Sequence, residues 1–209
     1  MRVAIAAAIL SSVLVAAPLS QTSQAARDAR TSDSVERPFP QDGRIRMDLS
    51  AGEYHISGRP DRRIRLDWSV RDADQLPRVH ARADVGERHA TITTDGPNNK
   101  GLKVAIQVPD RADLYVRLTA GDLRVDGVQG NKDIELHAGD ARIDVGSAED
   151  YRSVDASVWA GEIQAAPFQV FKGGLFRSFD WSGKGPYRLH AHLKAGDLRL
   201  FTKDTDARK

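Results

Sequence analysis

From Ile45 onward the chain alternates apolar and polar residues: Ile45, Met47, Leu49 and Ala51 fall on one side, Arg46, Asp48 and Ser50 on the other. This period of two places alternate side chains on opposite faces of a β-strand. The same pattern predicts strands at Ile64 to Val70, Val79 to Val85, His89 to Thr94 and Leu102 to Val108. Turn-forming stretches such as Arg59-Pro60-Asp61 and Asp95-Gly96-Pro97-Asn98-Asn99 separate them. Beyond the first 25 residues no window longer than a turn carries the i, i+3, i+4 spacing of an amphipathic helix, so an all-β protein is expected.

The alternation is organised by a repeat. Leu118-Thr-Ala-Gly-Asp-Leu-Arg-Val125 has near copies at Leu49 to Ile56, Leu136 to Ile143, Val158 to Ala165 and Leu193 to Leu200. Each copy reads as strand, sharp Gly-acid corner, strand, with apolar residues at the first, third, sixth and eighth positions pointing inward. Successive corners at Gly121, Gly139 and Gly161 are 18 and 22 residues apart, the spacing of coils that bury their inward residues by stacking on one another. This predicts a parallel β-solenoid with Leu118 over Leu136 over Val158. The alternative is an antiparallel β-sandwich, to which residues 60–108 are better suited, with turns every 8 to 12 residues.

The ends differ from this body. Residues 1–25 join Arg2, an apolar block from Val3 to Ala17, and small residues Ser23 and Ala25 before a cleavage point, the build of a secretory signal peptide. The block is shorter than the roughly 20 residues a membrane-spanning helix needs. Residues 26–41, polar and punctuated by Pro38 and Pro40, are expected to be a disordered leader; 42–201 a single repeat domain; and 202–209 a polar tail. The mature chain is thus expected to be exported, to the periplasm, the cell surface or the medium, with no membrane span after cleavage.

The motifs from Val108-Pro109 to Val145, above all the Ala-Gly-Asp corners at 120–122 and 138–140, resemble those of the bacterial putative adhesin family, a domain of unknown function. The likeness extends loosely over residues 45–200. It implies a right-handed parallel β-solenoid with an antiparallel strand extension and an exported or envelope location; it brings no catalytic motif. The spacing of 35 residues from Gly161 to Gly196 departs from the repeat, so one coil is either degenerate or replaced by an aromatic insertion.

Candidate chemistry is sparse. There is no cysteine, hence no disulfide or thiolate metal site. Lys and Arg number 31 against 29 Asp and Glu, interleaved, which leaves no electrostatic footprint for nucleic acid. The corner acids Glu53, Asp122, Asp140, Glu162 and Asp197 would stack as a ladder, but Arg124, Arg142 and Arg199 two positions after three of them suggest an outward grid of alternating sign rather than a Ca²⁺ site. His190 and His192 share a strand face, with His137 as a coil neighbour; without a further ligand they read as exposed strand histidines, and no metal or cofactor is expected. Ser182-Gly-Lys-Gly185 lacks the spacing of a phosphate loop, and neither a Gly-x-Ser-x-Gly elbow nor HExxH occurs.

Eight of the thirteen aromatic residues lie between Tyr151 and Tyr187. Trp159, Phe168, Phe171, Phe176, Phe179, Trp181 and Tyr187 are therefore the candidate partner or glycan surface, with capping of the open coil end as the other role for the same residues. The expected function is a non-enzymatic binding or scaffold module in the cell envelope, contacting an envelope protein or glycan. A polysaccharide-active β-helix enzyme and a self-assembling structural protein are the alternatives.

Overall fold

A computed structural model describes residues 31–96 and 101–202. The proposed signal peptide and all of the tail beyond Thr202 lie outside them. Fourteen strands occupy most of the described chain: β1 (Ser32–Pro38), β2 (Gly43–Leu49), β3 (Gly52–Arg59), β4 (Arg63–Ser69), β5 (His80–Val85), β6 (His89–Asp95), β7 (Lys103–Pro109), β8 (Ala112–Asp126), β9 (Lys132–Ala138), β10 (Ala141–Asp144), β11 (Tyr151–Ala165), β12 (Val170–Ser182), β13 (Tyr187–Ala195) and β14 (Leu198–Phe201). Three short 3-10 turns are the only helical segments among the described residues.

Most of the pairing is parallel. Ahead of the corners, strands run in the order β6, β2, β8, β9, β13, β11; beyond the corners the order is β7, β3, β8, β10, β14, β11. β8 and β11 belong to both runs because each is 15 residues long and bends at a corner glycine. Strands β8, β9, β13, β11, β14 and β10 consequently close a circuit of six parallel strands. Antiparallel strands flank both ends: β5 on β6, β4 on β7 and β1 on β4 at one, β12 on β11 at the other.

The alternation read from the sequence sets this arrangement. Ile45, Met47, Leu114, Val116, Leu118, Ile134, Leu136 and Leu193 are all at most 2 % exposed, and the buried residues of both runs merge into one apolar cluster. The alanine in the third repeat position behaves otherwise: Ala138 and Ala195 are exposed and Ala120 is half-buried, because the bend into the corner carries them toward the surface. The corner glycines stack directly. A Cβ on Gly121 would overlap the main-chain oxygen of Gly52, one on Gly139 that of Gly121, one on Gly196 that of Gly139, and one on Gly161 that of Gly196.

That ladder corrects the expected order. Leu118 pairs in parallel with Leu136, as anticipated, but Leu136 pairs with Leu193, and Leu193 with Val158. The unit formed by β13 and β14 is inserted between β9–β10 and β11. The spacing of 35 residues is thus no degenerate coil: it holds the aromatic insertion, as β12, which turns back along β11 before the chain re-enters the stack with no coil lost.

The leader also differs from expectation. Residues 32–38 form β1, paired along its length with β4 from Ser32↔Ser69 to Pro38↔Arg63, and Phe39, 2 % exposed, joins the core over Gly43. Most β1 side chains face solvent, so the strand is held by main-chain pairing and leaves no apolar period to detect.

Candidate functional site

The aromatic segment is built by β11 and its antiparallel return β12. Register places Trp181 opposite Val154 and Phe179 opposite Ala156, on the inward side of β11. Phe168, carried by the turn at Ala166–Phe168, meets Phe179 and Trp181 with ring centroids 6.0 and 5.1 Å away. Phe168 and Phe179 are buried, and Trp181 packs half-buried against the core. Tyr187 is also half-buried, edge-on to the buried Tyr151 at 6.3 Å. Phe168, Phe179 and Trp181 cover the apolar core where β12 returns along β11, and Tyr187 packs against it at the start of β13.

The other three face solvent. Trp159 is 55 % exposed, Phe171 69 % and Phe176 72 %, joined by Leu175 at 63 %, which the sequence pattern does not single out. Trp159 and Phe176 lie side by side, centroids 5.9 Å apart. Phe176 has φ +53°, a left-handed backbone unusual for a bulky residue, which interrupts the alternation of β12. Lys172 and Arg177 flank it, each turned back onto a main-chain oxygen of the same strand: Lys172 Nζ donates to Ser178 and Arg177 Nε to Gly173, both at 2.6 Å. Together with Phe176 they line an open depression of about 490 Å³. Among the described residues β12 pairs with β11 alone, so its second edge carries no strand.

Elsewhere on the surface, like charges stack in columns where a grid of alternating sign was expected. Arg142 lies opposite both Arg124 and Arg199, and Glu53 opposite Asp122. Opposite charges do meet along a strand, as in the 2.6 Å pair of Arg124 with Asp126, and across strands elsewhere, as where Lys103 faces Glu53 and Arg117 faces Glu135. Two corner carboxylates are used structurally. Asp140 Oδ1 accepts the Asp197 N–H and Asp197 Oδ1 accepts the Glu162 N–H, each at 3.0 Å. A short acid after the glycine therefore ties one corner to the next.

The histidines are brought beside partners that the sequence did not disclose. His190 stands between Asp133 of β9 and Asp155 of β11, and His192 between Glu135 and Ser157. His137 belongs to the same strand as Asp133 and Glu135 but is exposed nearer the corner.

Sequence reasoning also missed Lys132. It is 2 % exposed, donates to the Tyr151 hydroxyl at 2.7 Å, and lies 5.3 Å from the centre of that ring. Burial lowers its pKa to about 8 against the pull of Asp144, Asp150 and Asp113, and burial raises that of Tyr151. The only signal in the chain was a lysine at an inward parity position ahead of Ile134 and Leu136.

No known protein-family model matches this sequence, and no curated protein does. Solved structures do. The chain is similar to a putative cell adhesion protein from Clostridium sporogenes, with TM-score 0.50 and 12 % identity over 82 % of this chain and 100 % of that one. It is also aligned with a putative adhesin from Parabacteroides merdae, with TM-score 0.31 and 13 % identity over 82 % of each chain. The first of these shows a shared fold. Among the described residues no helix is long and apolar enough to cross a membrane.

Proposed function

We propose that the protein is an exported, non-enzymatic, adhesin-like binding module of the cell envelope, a right-handed β-solenoid variant that recognises an acidic glycan at the β12 edge. One observation carries this reading: Trp159 and Phe176 form an exposed aromatic pair beside Lys172 and Arg177. Exposed aromatic faces stack on the apolar faces of sugars, while the two cations suit a carboxylate or sulfate on the same chain. The stacked parallel strands and the shared corner ladder support the solenoid description, and the cell-adhesion name borne by a protein of the same fold supports a binding role.

Strand addition by a protein partner or a second copy is the less favoured use of this edge. The Lys172 and Arg177 side chains cover main-chain oxygens in the middle of β12, and cationic cover is one way an exposed edge is blunted.

Titration with an acidic polysaccharide by calorimetry tests the proposal. Trp159→Ala should weaken binding by about tenfold, the scale of an aromatic anchor, with no change in thermal midpoint because the side chain is exposed. Unchanged affinity in Trp159→Ala, or no binding to any acidic glycan together with concentration-dependent oligomers in sedimentation, would reject the reading in favour of self-association.

A further inference from the structure

We propose that Asp133, Glu135 and His190 form a site for a divalent transition cation of the zinc type, separate from the aromatic edge. One ligand atom from each lies within 4.8 Å of the other two. The inserted β13 produces this arrangement. It sets His190 directly opposite Asp133, while Glu135, two residues along β9, projects from the same outward face. All three are half-buried, so the carboxylates and the imidazole are partly shielded from water.

Each of these side chains is held through one atom and retains another for a ligand. His190 Nδ1 lies 3.2 Å from Asp155 Oδ2. A carboxylate on one imidazole nitrogen fixes ring orientation and tautomer and raises the basicity of the other, the arrangement found behind metal-ligating histidines. Nε2 is then the nitrogen left for a cation. On the other side Arg117 donates to Asp133 Oδ1 at 3.1 Å and pairs with Glu135 Oε2 at 3.0 Å. That leaves Asp133 Oδ2 and Glu135 Oε1 as the oxygens Arg117 does not engage.

The donor set determines the class of ion. One imidazole with two carboxylates suits zinc and its first-row neighbours, whereas calcium needs six to eight oxygens. Three protein ligands leave a fourth tetrahedral position for water or for a side chain of a partner. Arg117 offsets part of the negative charge, which favours an exchangeable ion over a permanently held one.

Zinc titration of the tag-free chain, read by competition with a chromogenic chelator, tests the site. The parent should bind one equivalent; His190→Ala should lower the affinity at least tenfold. Asp155→Asn, which removes only the carboxylate behind the ring, should lower it by about tenfold. His192→Ala is the control. His192 Nδ1 is hydrogen-bonded to Ser157 Oγ at 2.7 Å and the residue is outside the cluster, so binding should be unchanged. Circular dichroism confirms that each variant is folded. Equal zinc affinity in the parent and His190→Ala, an equal loss in His192→Ala, or displacement of zinc by equimolar calcium would overturn the assignment.

Discussion

Gly139→Ala should destabilise the protein by about 4 kcal/mol or more, the range reserved for changes that the backbone cannot absorb. Two effects combine. Gly139 has φ +123°, where an L side chain is strained, and its Cβ would overlap the Gly121 oxygen while lying 2.7 Å from that residue's carbonyl carbon and 2.9 Å from its nitrogen. All of these are main-chain atoms, so the ladder itself must part between β8 and β9–β10. In a chain of this size a loss of that order lowers the thermal midpoint by roughly 10 °C. Gly86→Ala provides the comparison, since its Cβ would meet nothing nearer than the His89 oxygen at 3.5 Å and its φ lies outside the left-handed region. Thermal melts of the two variants check the claim; equal midpoints would show that the corners do not need to touch.

Raising the pH from 8 to 10 should stabilise the protein, against the usual alkaline trend. Lys132 in the folded state has a pKa of about 8, compared with an ordinary value of 10.5. Across that window the folded protein has released this proton while the unfolded chain still holds it, and stability rises with pH wherever the unfolded state binds more protons. Below pH 8 the side chain is protonated in both states and the cost of burying the charge is constant. One pKa unit is worth about 1.4 kcal/mol, so the gain from pH 8 to 10 is on the order of 2 kcal/mol. Above pH 10 the sign reverses, since Tyr151 keeps its proton in the fold to a higher pH than in the unfolded chain. Urea unfolding at pH 7.5, 9 and 10 should show the rise in the parent and a flat profile in Lys132→Met. A parent as flat as the variant would mean that Lys132 reaches water.

Most strands were legible because one face lies in the core: Ile45, Met47 and Leu49 alternate with Arg46, Asp48 and Ser50, and burial follows that alternation, whereas β1 and β12 are largely exposed and carry no such period. The corners were legible from repetition. What the chain does not spell out is which strand lies beside which. Leu136, Val158 and Leu193 are interchangeable as inward apolar residues, and only the return of β12 along β11 decides that Leu193 comes between the other two. The cation cluster was hidden for the same reason, since Asp133 and His190 meet through that insertion alone. Within the aromatic segment, parity separates roles that composition merged. Phe179 and Trp181 share a face opposite Ala156 and Val154, whereas Phe176 leaves the alternation through its positive φ.

The insertion also governs the order in which the molecule is able to assemble. Asp140 and Asp197, tied by a hydrogen bond, are 57 residues apart in sequence. As the chain emerges, β8, β9 and β10 can pair at once, but β11 has no permanent parallel neighbour until β13 and β14 exist. A stack that grew from one end would add each coil as it was synthesised; here β11 completes its parallel pairing only once residues 187–201 exist and span from β9 and β10 to it, which requires closure of a long loop. A chain stopped after Ser182 would therefore lose the middle of its stack and keep both ends.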